Sequence, residues 1–116
     1  MIYTKHVSIT TTAVSTLWTM PSGFMAVIQH IFVANHGGST NQVNLWYESG
    51  GTPLVTIYDG VSLGSGSRLT LGNGGGPLFA LHSGELVKAS TDAAGDVDFA
   101  VTFELVERPS SLVNFV

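Results

Sequence analysis

Four histidines are the side chains of this chain best suited by type to do chemistry: His6, His30, His36 and His82. An imidazole can bind zinc, or move a proton near neutral pH. None of the four shows a ligand spacing such as two histidines four residues apart on a helix. His30 lies inside a long apolar run, where a structural histidine with satisfied hydrogen bonds is the simpler interpretation. We therefore expect no bound metal and no cofactor.

Three aspartates fall close together around one predicted turn: Asp92, Asp96 and Asp98. A calcium loop would need more oxygen ligands and a glycine at its fixed position. Asp96 and Asp98 point to one side of a predicted strand, so they could join a cation at a subunit interface. Aspartate is also common in turns and on solvated strand faces, and this second interpretation is favoured.

Acidic and hydroxyl side chains give no arrangement that stands out as catalytic. Glu48, Glu85 and Glu104 could form a glycosidase pair by residue type alone, as surface acids generally could. Serine is too common in this sequence for a combination with histidine and aspartate to carry weight. Residues 72–77 hold four glycines, but neither a lysine nor a helix follows, which argues against a phosphate loop. We expect no catalytic residue, and we predict that the chain is not an enzyme.

Aromatic side chains are the remaining candidates for binding. Four of them could stack on a sugar ring: Trp18, Trp46, Tyr47 and Tyr58. Trp46 shares its side of a predicted strand with Asn44 and Glu48, so we expect it to be exposed. An exposed tryptophan beside polar groups fits a carbohydrate platform and a protein-interface hot spot equally well. The composition favours the interface.

Charged residues make up only 10% of the chain, against about 25% in average soluble domains. A folded protein of this mass exposes roughly 6,000 Å², which leaves about one ionised group per 500 Å². Serine, threonine, asparagine and glutamine could keep a monomer soluble, or much of the surface could be buried against other subunits. Because the mean hydropathy is positive, at +0.33, we favour burial against other subunits.

Composition also excludes several classes of partner. The basic residues Lys5, Arg68, Lys88 and Arg108 are scattered, which argues against nucleic acid. The chain has no cysteine, so it forms no disulfide. Residues 1–8 lack the pattern of a signal peptide, and no apolar run is long enough to span a membrane. We expect synthesis in a cytoplasm, without export by a cleaved signal.

Short β-branched and aromatic runs separated by fourteen glycines predict an all-β chain. About nine strands are predicted, at residues 3–11, 15–20, 24–35, 42–48, 54–58, 67–71, 78–82, 86–91 and 96–106. The last has the strictest alternation and predicts one face in the core. Residues 24–35 are apolar on both sides, with Ile28 and Ile31 on opposite faces, which predicts a central strand covered on both sides.

Strands at this spacing predict a jelly-roll-like antiparallel β-sandwich of about eight to nine strands, with an immunoglobulin-like sandwich as the rival. Residues 1–107 form the predicted sandwich domain. Residues 108–116 form an apolar tail after Pro109, and its apolar members are Leu112, Val113, Phe115 and Val116. An exposed apolar terminus is a liability, so the tail should dock on its own sandwich or on a neighbouring subunit. Both alternatives are open.

Three segments together resemble small virion structural proteins of tailed bacteriophages. They are LWTMPSGFMA at residues 17–26, IFVANHGGS at 31–39 and PLFALHSGE at 77–85. Such proteins often carry a Tyr-Thr-Val-Pro-Ala-Gly hairpin, an Ile-Tyr-Val-Ala-Asn strand and a late Leu-Ala-Gly-Asp turn. Here Trp18, Met20 and Phe32 replace the usual residues, and Glu85 stands where aspartate is common. The resemblance spans roughly residues 15–106 and describes turns and core strands.

The resemblance implies a non-enzymatic capsid or tail component located in the virion. We expect a capsid decoration, or cement, protein that forms a homo-oligomer, with a trimer favoured, and that binds the major capsid protein or other virion proteins. No nucleic acid or membrane is expected as a partner. A tail, neck or fibre component is the first alternative, and a carbohydrate-binding module using Trp46 and Tyr47 is the second. The candidate interface residues are Tyr3, Trp18, Trp46, Leu112, Val113, Phe115 and Val116.

Overall fold

The chain folds as nine β-strands in a computed structural model that describes residues 2–72 and 77–107. The strands are β1 (Ile2–Ile9), β2 (Ser15–Thr19), β3 (Phe24–Asn35), β4 (Asn41–Ser49), β5 (Thr52–Leu63), β6 (Arg68–Leu71), β7 (Phe79–Leu81), β8 (Leu86–Thr91) and β9 (Val97–Glu107). Within the described ranges there is no helix of the length and hydropathy needed to cross a membrane. The predicted all-β class is confirmed.

Two antiparallel sheets form a sandwich. The first sheet, sheet A, has the order β1-β9-β3-β6, and β7 also pairs with β3. The second sheet, sheet B, has the order β2-β8-β4-β5. Strands β6 and β7 pair with successive parts of β3, so together they occupy one strand position. The chain crosses repeatedly between two four-position sheets, and the resulting strand order is the double Greek key of a jelly roll, which confirms the predicted fold.

The core lies between the inner faces of the two sheets. In β9, alternate side chains enter it, as the strict alternation predicted: Val97, Phe99, Val101 and Phe103 are buried. Facing residues of sheet B, such as Leu45 and Val87, are also fully buried. A wholly buried side chain of this size contributes about 1.5–3 kcal/mol to folding. The apolar inner faces therefore hold the sandwich together.

Strand β3 differs from the predicted pattern because it contains a β-bulge. Its pairing with β9 passes from Ile28 to His30, so Gln29 is the extra residue. A bulge shifts the alternation by one residue. Ile28 and Ile31 consequently both face the core with no exposed surface, whereas Phe32 faces outward and is half-buried. The predicted placement of Ile28 and Ile31 on opposite faces was wrong for this reason.

Strand β5 is longer than predicted and does not end at Gly60. It runs through Leu63, and its pairing with β4 shifts register at three places. Gly60 has a φ of +64°, a conformation that glycine adopts at little cost. Its N–H donates to the Asn44 side-chain oxygen at 2.8 Å. This glycine therefore lets an irregular strand continue instead of ending it.

Buried asparagines and paired turns fix the two ends of the sandwich. At one end the side-chain N–H group of Asn35 donates to the carbonyls of Ser39 and Leu63. At the other end, the Ser83 hydroxyl bridges the 20–23 and 82–85 turns, since it accepts from the Gly23 N–H and donates to the Pro21 carbonyl. The segments that resemble phage proteins thus have structural roles at both ends.

Candidate interaction surfaces

Tyr3 and Trp18, two of the predicted interface residues, lie together at one end of the sandwich. Both rings contact Phe103: the Tyr3 ring is stacked with a centroid distance of 5.7 Å, and the Trp18 ring is tilted at 4.0 Å. With Pro21 and Leu105 they line a groove of about 140 Å³, which we call the aromatic groove. Its lining carries no ionised group, so it suits an apolar side chain of a partner.

The position of Trp18 follows from a bulge in β2. The pairing with β8 shifts register between Thr16 and Trp18. Leu17 is therefore buried, and Trp18 packs partly buried against the same core. Tyr3 arrives from the other sheet, because it pairs with Phe103 at the edge strand β1. The packing of the two sheets, and not proximity in sequence, therefore brings Tyr3 and Trp18 together.

Strand β1 is an edge of sheet A and is largely open to solvent. Its residues Ile2–His6 are exposed; Ile2 has 62% and Tyr3 has 43% of its surface accessible. Within the described residues β1 pairs only with β9, so the backbone groups along its other side face outward. We call this side the free edge of β1. An exposed strand edge is a template for pairing with another strand.

Trp46 lies on the outer face of sheet B but is half-buried, so the expectation of an exposed ring was wrong. Its indole N–H donates to Glu48 at 3.0 Å, and Lys88 pairs with the other oxygen of the same carboxylate at 2.8 Å. The hydrogen bonds from Lys88 and Trp46 hold the pKa of Glu48 below its ordinary value. Glu48 is a buried, paired carboxylate and not the ordinary surface acid that the sequence suggested.

The outer face of sheet A carries a shallow cavity of about 350 Å³. Ser8, Asp98 and His36 meet at its rim. The Ser8 hydroxyl donates to one oxygen of Asp98, and the other oxygen lies 3.0 Å from His36 Nε2. A hydrolase triad places histidine between serine and the acid. Here the aspartate is in the middle, so His36 has no path to take the Ser8 proton.

Residues 60–64 spell Gly-Val-Ser-Leu-Gly, the G-x-S-x-G pattern of hydrolase elbows, which our sequence interpretation wrongly took to be absent. In a hydrolase that pattern forms a sharp turn from a strand into a helix. Here Ser62 lies within strand β5 and pairs with Gln42 of β4. The fold therefore gives this serine no nucleophile position.

The three aspartates near the last turn do not converge on one point. Asp92 accepts a hydrogen bond from the Gln42 backbone N–H at 2.7 Å. Asp98 bonds to Ser8 and His36 on the outer face of sheet A. In residues 2–72 and 77–107, no group of three or more acidic or histidine side chains is arranged to hold a metal.

Some apolar surface was missed from the sequence. Val14, Leu54 and Val55 are about half exposed. Leu54 and Val55 are consecutive in β5, and consecutive strand residues point to opposite faces, so both could not have entered the core. The predicted interface residues Leu112, Val113, Phe115 and Val116, like the whole 108–116 tail, lie outside the described residues.

No protein-family model and no curated protein sequence matches this chain. Solved structures share its fold at low identity. A chain in the acidic stable capsid structure of Helicobacter pylori bacteriophage KHP30 superposes with a TM-score of 0.61 at 16% identity, and the match covers 93% of each chain. A chain of Bacillus endospore appendages, a novel family of disulfide-linked pili, superposes with a TM-score of 0.53 at 15% identity, covering 93% of this chain and 89% of that one.

Proposed function

We propose that this chain is a structural protein of a bacteriophage virion that works as a capsid decoration, or cement, protein. The observation that supports this most is the fold match with a chain in the phage KHP30 capsid structure, which covers 93% of both chains. A jelly roll of this size therefore occurs as nearly the whole of a chain in a phage capsid structure. The endospore chain comes from disulfide-linked pili, whereas this chain has no cysteine.

The surface suits a protein that is covered by neighbours. The accessible surface is 6258 Å², which gives about one ionised group per 500 Å². Two of these groups, Glu48 and Lys88, already pair with each other. A standard interface covers about 800 Å² of each partner, over a tenth of this surface. Most of the chain's accessible surface can therefore be buried without the large cost of desolvating an unpaired charge.

The proposed partners are further copies of the chain, with a trimer favoured, and the major capsid protein of the shell. The proposed contact regions are residues 1–6, of which Ile2–His6 form the exposed start of β1, and residues 112–116. A tail, neck or fibre position is the alternative, because the same fold and the same weakly charged surface would serve there. No catalytic role is assigned to any residue.

Phage particles that lack the chain provide the test. The purified chain is added back to isolated shells and, separately, to isolated tails. Bound copies per particle are counted by quantitative mass spectrometry, and the temperature at which shells release their genome is measured. We expect saturable binding to shells and a higher release temperature. Binding to tails alone would favour the alternative position, and binding to neither would overturn a virion role.

A carbohydrate-binding role for Trp46 and Tyr47 is less well supported. The Trp46 N–H is already donated to Glu48, and the ring is half-buried. Tyr47 is also partly buried, because it stacks on Phe79 at a centroid distance of 4.7 Å. We expect a glycan array to show no binding that depends on Trp46. Glycan binding by the native chain that disappears in Trp46→Ala would favour the carbohydrate role instead.

A further inference from the structure

Three of the four edge positions of the sandwich are poor templates for strand pairing. Strand β2 has five residues and a register shift. Strand β5 contains Pro53 and three register shifts. The fourth position of sheet A is divided between the short strands β6 and β7. Short strands, bulges and proline are the features by which proteins prevent an edge from pairing with another chain.

Strand β1 differs from these edges. It has eight residues and no proline, and its pairing with β9 is continuous from Ile2 to Ile9. Lys5 is the single charged side chain in the strand, and charged residues do discourage pairing at an edge. The first five residues are exposed, and the aromatic groove lies beside them at Tyr3. The free edge of β1 is therefore the edge best able to accept another strand.

Residues 112–116, Leu-Val-Asn-Phe-Val, have the composition of such a strand. They are five residues long, like the exposed part of β1, and valine and phenylalanine favour strands. Val113 and Phe115 would share one side of a strand, and Asn114 would point to the other. The aromatic groove, at about 140 Å³, has room for one large apolar side chain.

We infer that residues 112–116 of a neighbouring copy add as an antiparallel strand to the free edge of β1 and place Phe115 in the aromatic groove. With Phe115 opposite Tyr3, antiparallel pairing sets Asn114 opposite Thr4. The same register sets Leu112 opposite His6, so the five tail residues cover the five exposed residues of β1. This inference deepens the proposed function and rests on it, since it names the surface that joins the copies.

The chain's own tail cannot reach this position. In the antiparallel register above, the added strand begins with Leu112 opposite His6, and His6 pairs with Ala100 of β9. From there to Glu107, where β9 ends, the strand runs about 24 Å. The five steps from Glu107 to Leu112 span at most about 18 Å. An own-chain strand could enter only parallel to β1, whereas every pairing in the described sheets is antiparallel. The antiparallel occupant is therefore a neighbour.

Engineered disulfides test the inference, because the chain has no cysteine of its own. Full-length Thr4→Cys is mixed with full-length Asn114→Cys under mild oxidation, and linked dimers are detected by non-reducing electrophoresis and mass spectrometry. Thr56→Cys on the irregular edge strand β5 replaces Thr4→Cys in the matched control; both threonines are exposed. Paired strands bring Cα atoms within disulfide range, about 4.4–6.8 Å. We expect the Thr4–Asn114 dimer at several-fold higher yield than the control dimer.

Sedimentation of the same mixtures separates the inference from the proposed function. Copies that associate without the selective Thr4–Asn114 link would overturn the inference and leave the assembly role intact. A double Thr4→Cys/Asn114→Cys variant that links only within one chain would also overturn it, because the tail would then dock on its own sandwich. Chains that neither associate with each other nor bind virion parts would overturn both.

Discussion

Replacement of Tyr3 by alanine separates the contribution of this ring to folding from its contribution to assembly. Tyr3 has 43% of its surface accessible. Aromatic side chains can bury 150–250 Å² each, so roughly 80 Å² of this ring is open for a partner. At about 25 cal/mol per Å², a partner that covers this area gains about 2 kcal/mol. That free energy corresponds to about a 30-fold change in the association constant.

The isolated fold should lose a similar amount of stability in Tyr3→Ala. The buried part of the ring stacks on Phe103, and its loss should cost about 2 kcal/mol of unfolding free energy. Urea denaturation at low protein concentration measures this cost. Sedimentation at concentrations where the native chain associates measures the expected 30-fold loss.

Leu54→Ala is the matched control for assembly. Leu54 has 48% of its surface accessible, a fraction similar to that of Tyr3, but it lies on the irregular strand β5. We expect its replacement to leave the association constant within about twofold of the native value. Native-like association of Tyr3→Ala, together with a large loss in Leu54→Ala, would show that the copies meet through β5 and would refute the role of the β1 edge.

Two further predictions concern stability. The pKa of Glu48 is lowered from its ordinary value of 4.5, so the ionised group stabilises the fold above pH 4.5, and this contribution is lost as the pH falls through the folded-state pKa. Glu48→Gln should therefore be destabilising near neutrality, and its deficit in urea midpoint should shrink on acidification. A deficit that stays constant with pH would refute the Lys88 pairing as its cause. Gly72 has a φ of +80°, and an added Cβ would lie 2.5 Å from the Gln29 carbonyl oxygen, so Gly72→Ala should lower the unfolding free energy in urea by about 1–3 kcal/mol. Gly64→Ala is the control, because its Cβ would meet its nearest atom at 3.5 Å. Equal losses in the two variants would contradict the predicted contact at Gly72.

Period-two patterns located most strands but could not show where the pattern slips. The bounds of β3 and β8 agree with the prediction, because each is a continuous run between turn residues. The bulge at Gln29 was invisible, since β3 is apolar at both odd and even positions and either register would satisfy the pattern. The predicted strand at residues 54–58 stopped short of Gly60, because a glycine has the same appearance in a turn and in an irregular strand.

The candidate surface was predicted as separate residues and not as a site. Tyr3 and Trp18 were chosen for their type, but the jelly-roll topology that joins them at Phe103 depends on strands at opposite ends of the chain. Trp46 was predicted to be exposed because Asn44 and Glu48 share its side of the strand. Lys88, which pairs with Glu48 beside the ring, lies on another strand, β8, far along the sequence. Pairings of this kind are set by the order of strands in a sheet, which a local pattern does not contain.

Cryo-electron microscopy of purified particles that carry the chain tests the assembly role most directly. We expect jelly-roll density on the outside of the shell, in contact with the major capsid protein and with further copies through the β1 edge. Particles that show no such density on shell, neck, tail or fibre, although the chain is present in the infected cell, would contradict a virion role.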